Sequence, residues 1–267
     1  MKKLGAFLIP VVLFLVMTTL GNRMAAEGKV NISFIGILAI VFLVMLLLTR
    51  KKIGPGKSTE AVMAEFLDEY AANAFADDEA LKAKFYAALT DFGKNMPKAA
   101  LSKLEKLEPL CTGKKEQYAV AMALAKTNFQ LQKFPRAIRE YNKAVVINPT
   151  CAVASAIGDC YQRLGELKKA QDSYEFAIEL DPKNPDPCSR LATTYVADWD
   201  YTTALYYAEH ALTLDENYAS ALATSAICYS MQDNVLMAKH YTDRAVANGY
   251  SAKKIEDTVS ALKKCAK

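Results

Sequence analysis

The chain repeats one pattern of small and aromatic residues at intervals of about 34 residues. In its first copy, Ala137 is followed by Tyr141 and then by Ala144, and Pro149 closes the stretch. Four stretches share the pattern, with growing divergence: RAIREYNKAVVINPT (136–150), KAQDSYEFAIELDPK (169–183), TALYYAEHALTLDEN (203–217) and MAKHYTDRAVANGYS (237–251). A regular period of this length is typical of stacked helical hairpins, so it constrains the fold more than any other feature.

The spacing within each copy indicates a helix that packs on both neighbours. Positions four and three residues apart lie on one helix face. Alanines there allow close approach between helices, and the aromatic ring fills the remaining space. Proline ends the helix because it lacks an N–H and clashes with the preceding turn. No useful strand alternation occurs, so we predict an all-α, α–α superhelical solenoid.

Residues 118–251 resemble the tetratricopeptide repeat family, in four units. The second unit, AIGDCYQRLGELKKAQDSYEFAIELDP, carries the family's small and aromatic positions on both helices and a turn glycine, Gly165. Trp199 and Asp233 replace that glycine in the third and fourth units. The resemblance implies that first helices line a groove for an extended peptide or partner helix, and that second helices form the outer wall.

Helical segments are also expected on both sides of the four units. Residues 59–117 form a lead-in in which Thr59–Ala76 is helical by composition and Asp77 or Asp78 caps the next helix. The pair at about 78–108 is a degenerate repeat, and Pro97, like Pro135, opens a second helix. Residues 252–267 are amphipathic, and we expect them to cap the exposed end of the stack.

Two uncharged apolar runs lie in residues 1–50, at about 4–20 and 30–49. At ~1.5 Å rise per residue the second spans about 30 Å, the thickness of a bilayer core. We therefore expect a two-helix transmembrane hairpin, followed by a linker at 51–58 that contains Gly54, Pro55 and Gly56. A cleaved signal peptide is the alternative for the first run, although no small-x-small cleavage site follows it.

Basic residues flank these runs on the sides that would face the cytoplasm. Lys2 and Lys3 precede the first run, and a cluster beginning at Arg50 follows the second. The positive-inside rule then predicts a multi-pass membrane protein with both termini cytoplasmic. The basic start of the chain and the compact two-span anchor suggest a bacterial cytoplasmic membrane.

The positive net charge of the chain is concentrated near its start. The whole chain has a net charge of +4 and residues 1–57 have a net charge of +7, which leaves a net charge of −3 for residues 58–267. This balance argues against a nucleic-acid partner.

The residue types that carry chemistry are sparse and scattered. Six cysteines lack C-x-x-C spacing, and the two histidines, His210 and His240, lie in different units. No phosphate-binding loop, dinucleotide motif or nucleophile elbow is present. We therefore expect no catalytic residue, no cofactor and no metal site, and a role other than that of an enzyme. The apolar runs contain no ionisable residue, which favours an anchor over a transport path.

What remains is a surface that binds a protein or peptide. The inward positions on the first helices, by resemblance, are Lys126, Phe129, Asp159, Gln162, Arg163, Arg190, Thr193 and Ser230. The pattern of the repeats that grip a chaperone's carboxylate tail is incomplete, because its asparagines are missing and Asp159 would repel an anion. We expect a membrane-tethered scaffold or adaptor, with a structural subunit of a larger membrane complex as the alternative. The sequence leaves homo-oligomerisation open.

Overall fold

The computed structural model describes residues 70–71 and 73–265. These residues form eleven α-helices and one short 3-10 turn, and no strand occurs among them. In chain order the helices are α1 (Glu79–Gly93), α2 (Pro97–Leu107), α3 (Lys114–Gln130), α4 (Phe134–Ile147), α5 (Cys151–Leu164), α6 (Leu167–Leu180), α7 (Pro185–Ala197), α8 (Tyr201–Leu214), α9 (Ala219–Met231), α10 (Val235–Ala247) and α11 (Ala252–Cys265).

The helices pack as five successive hairpins with a final single helix. Within the described part of the chain, α1 pairs with α2, α3 with α4, and so on to α9 with α10. Neighbouring hairpins meet where the second helix of one contacts the first helix of the next. This arrangement is an all-α solenoid of hairpins of the tetratricopeptide type, as the repeat period predicts.

The repeated small residues lie at the helix–helix contacts. Ala137, Ala170 and Ala204 are fully buried at equivalent places in α4, α6 and α8. The ring of Tyr174 is also fully buried, and it passes directly over Gly158 of α5. A Cβ at position 158 would lie 2.6 Å from that ring, so only glycine allows the two helices to approach this closely.

Helix starts follow the chemistry that the sequence indicates. Asp78 accepts a hydrogen bond of 2.8 Å from the Leu81 backbone N–H, so it caps α1 as expected. Pro97 is the first residue of α2, and Pro135 lies in the first turn of α4. Proline suits these positions because its missing N–H would have no partner in the first turn.

Helix α11 covers the last hairpin. Its Ile255 is 3% exposed and joins a cluster with Leu222 and Ile227 of α9. Val259 and Leu262 pack against the same cluster from one side of the helix. The end of the stack is thereby shielded from water, the role expected of a terminal helix in a finite array.

One expectation for the lead-in is wrong. The helix predicted to continue to Ala76 is absent over its described end, where residues 70–71 and 73–77 form turns. Ala74 and Ala76 donate backbone hydrogen bonds to Ala71 and Asn73, three residues back, which gives single turns. Tertiary packing explains the difference, because the ring of Phe75 lies 4.7 Å from that of Phe85 and is buried there.

The expected transmembrane hairpin, the linker at 51–58 and residues 59–69 of the lead-in lie outside the described residues. Among the helices that the structure does describe, none has the length and apolarity needed to cross a bilayer.

Candidate partner-binding site

A cleft of about 860 Å³ opens where the turns of the first two hairpins meet the end of α5. Its described lining comes from four helices and two turns: Phe92, Gly93, Asn95, Lys126, Phe129, Gln130, Gln132, Phe134, Tyr141 and Arg163. The volume is in the range of pockets that hold a small molecule or a few peptide residues. The cleft therefore has room for a short segment of a partner.

Aromatic side chains and two cations characterise the lining. Phe129 and Phe134 pack edge to face with 5.5 Å between ring centroids, and they link the end of α3 to the start of α4. Lys126 and Arg163 contribute the positive charges, and Arg163 is exposed. No acidic residue is among the described residues that line the cleft. Its chemistry combines apolar surface with positive charge.

Acidic residues close in sequence to the lining are already paired. Asp91 forms an ion pair with Lys103 at 2.7 Å, and Glu140 forms one with Lys143 at 2.7 Å. Glu166, three residues after Arg163, pairs with Lys169. In the described part of the chain no ion pair involves Arg163 itself. Its charge is therefore available to a ligand.

A second polar cluster ties together three consecutive hairpins. Arg190 of α7 donates from Nη1 to both carboxylate oxygens of Asp159 on α5, at 2.5 and 2.7 Å. Its Nε donates to Oδ2 of Asp186 at 2.6 Å. Arg190 thus holds one carboxylate of the preceding hairpin and one of its own helix.

Two tyrosines complete this cluster. The Tyr174 hydroxyl donates to Asp159 at 2.7 Å, and the Tyr218 hydroxyl donates to Asp186 at 2.7 Å. Burial raises the pKa of both tyrosines, and the adjacent carboxylates raise the pKa further because a second negative charge would be repelled. Every oxygen of the two carboxylates therefore has a donor.

The eight residues expected from the sequence fall into three groups. Lys126, Phe129 and Arg163 come together in the cleft. Asp159 and Arg190 bind each other, and Gln162 lies at their edge, with Oε1 3.4 Å from the Tyr174 hydroxyl. The remaining two, Thr193 and Ser230, turn their hydroxyls to their own helices. The Thr193 hydroxyl donates to the backbone carbonyl of Arg190, and the Ser230 hydroxyl donates to that of Ala226.

The lining residues that the sequence did not single out for the site lie mostly at helix ends and in the turns beside them. Phe92, Gly93 and Asn95 belong to the preceding hairpin, and Phe134 and Tyr141 to a second helix. One signal could have found part of this set: the two stretches before Pro97 and Pro135 are related turns, and each is preceded by an aromatic residue at a helix end. The joining of the two turns in space has no sequence signal.

The buried cysteines are poor candidates for nucleophiles. Cys188 is fully buried, and its Sγ lies 3.5 Å from Nδ1 of His210, a neighbour that sequence spacing did not indicate. Burial raises the pKa of the Cys188 thiol to about 11 and that of Cys160 to about 12. Such thiols are protonated and unreactive near neutral pH. No group of three or more potential metal ligands occurs among the described residues.

Comparison with known proteins agrees with the fold. Residues 154–184 match the family model described as tetratricopeptide repeat. A 90-residue segment is 33% identical to the Hsp70-Hsp90 organizing protein of Triticum aestivum, and it covers 33% of this chain and 16% of that relative. Only a small part of the relative is therefore represented here.

Solved structures show the same architecture at low sequence identity. A tetratricopeptide repeat protein from Parabacteroides merdae superposes with a TM-score of 0.60 at 15% identity, covering 69% of this chain and 73% of its own. MamA superposes with a TM-score of 0.54 at 17% identity, covering 60% of this chain and 93% of its own. YrrB is described as a tetratricopeptide repeat protein with an unusual peptide-binding site. It superposes with a TM-score of 0.50 at 15% identity, covering 68% of this chain and 93% of its own. At these identities the likeness concerns the fold.

The match at residues 154–184, the repeat period and the stacked hairpins agree, and the described part of the chain has the architecture of tetratricopeptide repeat proteins.

Proposed function

We propose that the chain is a membrane-tethered scaffold that binds a protein partner through the cleft between its first hairpins. The cleft carries the proposal, because it combines aromatic surface with two cations in an arrangement that can hold a peptide. Tetratricopeptide repeat proteins act as protein-interaction scaffolds, and the repeat surface here is built in the same way. The bound ligand is a protein segment, and the role is binding without catalysis.

The tether is the part of the proposal that rests on sequence alone. The apolar runs at 4–20 and 30–49 and their basic flanks support two spans with both termini in the cytoplasm. Tethering would raise the effective concentration of a bound partner at the membrane without requiring high intrinsic affinity. A reporter fused after Lys267 tests this placement. Activity of the reporter on the outer side of the membrane would contradict it.

A permanent subunit of a larger membrane complex is the second candidate. Exposed apolar side chains on second helices favour it: Val146 is 85% exposed on α4, and Leu236 is 84% exposed on α10. Side chains of this kind are common singly on surfaces, but they are also found where subunits pack together.

Crosslinking in native membranes followed by identification of captured proteins tests both candidates. A scaffold is expected to yield partners that are lost on mild detergent extraction, whereas a subunit is expected to remain in a stable complex. If the chain is a scaffold, Arg163→Glu should reduce the amount of partner captured. Arg139→Glu reverses the charge of an exposed residue on α4 outside the cleft, and it should leave capture unchanged. Capture of no protein at all would contradict the binding role.

A further inference from the structure

We propose that a small groove between α4 and α6 receives a tyrosine side chain of a partner protein, stacked on the ring of Tyr161. The groove lies on the side of the repeats that the second helices form. It shares none of its described lining residues with the cleft between the first hairpins. The inference therefore goes beyond the proposed function, because it adds a second binding site.

The groove is largely apolar. Its volume is about 290 Å³, and α4, α5 and α6 all contribute to its lining. Ala154 and Ile157 of α5 line it and are buried, and Val145 of α4 and Phe176 of α6 line it from either side. The half-buried ring of Tyr161 completes the apolar surface.

The corresponding grooves of the next two units contain a ring. Tyr207 of α8 stacks on Tyr195 of α7, with 5.6 Å between ring centroids and 3° between ring planes. Tyr241 of α10 stacks on Tyr229 of α9 at 5.5 Å and 14°. Stacked aromatic pairs stabilise a contact beyond the area that they bury. In both units, then, the second helix supplies a ring that covers the ring of the first helix.

The second unit has the ring of the first helix without that of the second helix. Tyr161 precedes Tyr195 by 34 residues, and Ser173 precedes Tyr207 by the same interval. A serine is too short to cover a tyrosine ring, and among the described residues no other ring stacks on Tyr161. The groove that both residues line is therefore the space that a tyrosine occupies in the next two units.

Lys169 lies near this ring without filling the groove. Its Nζ is 5.4 Å from the centroid of Tyr161, and it forms an ion pair with Glu166 at 2.5 Å. The lysine side chain is 59% exposed, so an incoming ring would displace a solvated cation and not a buried group. Moving an exposed charge of this kind costs little.

Asn142 favours a tyrosine over a phenylalanine in the groove. It is exposed and lines the groove from α4, five residues after Ala137. Glu175 has the same place in α6, and burial together with this carboxylate raises the pKa of Tyr207. A polar group thus lies near the phenol in the covered groove. The amide of Asn142 can both donate to a hydroxyl and accept from it.

The surroundings favour a ring on a protein over a free aromatic molecule. The volume is at the lower limit for pockets that hold small ligands. Val146, which follows the lining residue Val145, is 85% exposed, and Phe176 is 38% exposed. A partner protein would cover these side chains as well as the groove. In the two covered grooves the ring is also carried by a helix.

Methyl NMR of the full-length chain in a non-ionic detergent tests the site. Isoleucine methyl groups are labelled, and Ile157→Val identifies the Ile157 signal. The probe is N-acetyl-tyrosinamide, and we expect a saturable shift of that signal with a Kd on the order of millimolar, because one ring has few contacting atoms. N-acetyl-phenylalaninamide should bind about threefold more weakly, since it lacks the hydroxyl. Excess N-acetyl-leucinamide should not displace the probe.

Three variants locate the probe. Ser173→Tyr should shift the Ile157 signal without any probe and weaken binding at least about tenfold, because its own ring fills the groove. Ser102→Tyr makes the same change at an exposed position of α2, and the Kd should stay within about twofold of the parent. Asn142→Ala should make the tyrosine and phenylalanine amides bind equally. Circular dichroism checks that the helices of each variant are intact.

Crosslinking identifies the source of the ring. A photoreactive p-benzoylphenylalanine at position 146 is activated in native membranes, and the captured peptide is sequenced. We expect a tyrosine-containing peptide of another protein, which is lost with Ser173→Tyr and retained with Ser102→Tyr. A peptide of this chain, such as one containing Tyr206, which is 66% exposed, would assign the groove to a second copy and overturn the partner. Probe binding without capture would assign it to free aromatic molecules.

Other outcomes would overturn the site itself. These are the absence of a saturable Ile157 shift up to about 50 mM probe, displacement of the probe by the leucine amide, or full binding in the Ser173→Tyr variant. Such failures would leave the cleft unaffected, because Arg163 is outside the described lining of the groove. Loss of capture with Arg163→Glu alone reports on the cleft.

Discussion

Arg190 lies at the centre of a polar cluster that joins three hairpins. Its guanidinium reaches Asp159 and Asp186, and these carboxylates also accept from Tyr174 and Tyr218. Burial lowers the pKa of Arg190 while the two carboxylates raise it more, so the net shift is upward and the arginine is charged at any pH of interest. The cluster therefore fixes how neighbouring first helices are spaced.

Removing this charge should destabilise the repeats. Arg190→Met keeps much of the apolar stem but leaves two carboxylates facing each other. We expect the free energy of unfolding in urea to fall by about 1–2 kcal/mol, a value reduced for solvent screening because the side chain is 39% exposed. Arg139→Met, which removes an exposed charge, is the matched control. Equal stability of the two variants would show that the cluster contributes nothing.

At the scale of the element, the turns between paired helices share one unusual backbone conformation. Gly165 has φ 76°, and four other residues take positive φ at the equivalent place: Asn95, Gln132, Trp199 and Asp233. A side chain is disfavoured in this left-handed region by roughly 1–2 kcal/mol. The hairpin geometry imposes the conformation, and only the second unit has the residue that adopts it without strain.

Exchanging residues at two of these turns should give effects of opposite sign. Gln132→Gly relieves the strain at φ 58°, and we expect a gain of about 0.5–1 kcal/mol in unfolding free energy after the added flexibility of the unfolded chain is subtracted. Gly165→Ala, at a site with open space around the added Cβ, should lose about 1 kcal/mol from backbone strain alone. Thermal and urea unfolding measure both. Changes of the same sign would contradict this reading of the turns.

At the scale of the whole molecule, four cysteine thiols are buried between the helices of the stack. Burial raises the pKa of Cys111 and Cys188 to about 11 and that of Cys160 and Cys228 to about 12, from an ordinary value of 9.0. The folded state holds these protons more tightly than the unfolded chain does. The resulting stability is complete below about pH 9 and is lost as the pH rises towards 11–12.

Stability should therefore decline in alkali. Between about pH 9 and the folded pKa, each buried thiol is expected to lower the unfolding free energy by about 1.4 kcal/mol per pH unit. Urea unfolding under reducing conditions at a series of pH values measures the slope. Cys160→Ala with Cys228→Ala should reduce it, and Cys265→Ala, an exposed control, should not. An unchanged slope in the double variant would mean that other groups cause the decline.

Much of the solenoid was predictable because its signal is local and periodic. Ala137, Tyr141 and Ala144 recur at helical spacing, and Pro97 and Pro135 mark helix starts by their own chemistry. The turn at residues 73–77 was not predictable, since the burial of Phe75 against Phe85 outweighs the helical preference of its alanines. Local composition does not contain that contact.

The candidate site was predictable only in part, for a related reason. The sequence placed Lys126, Phe129 and Arg163 on inward helix faces, because that follows from position in the repeat. It could not show that Arg190 is held by Asp159, which is 31 residues away. Such pairings depend on how one hairpin stacks on the next.

The amino-acid sequence by itself determined that this protein is a stack of helical hairpins, because small and aromatic residues at intervals of three and four specify helices that must pack on their neighbours. Only the tertiary structure decided which charges are exposed to a partner. The stacking brings Arg190 between two carboxylates and leaves Arg163 beside the aromatic cleft. The physical reason is that a charge is neutralised by whatever lies within a few ångströms of it, and that distance is set by packing between hairpins.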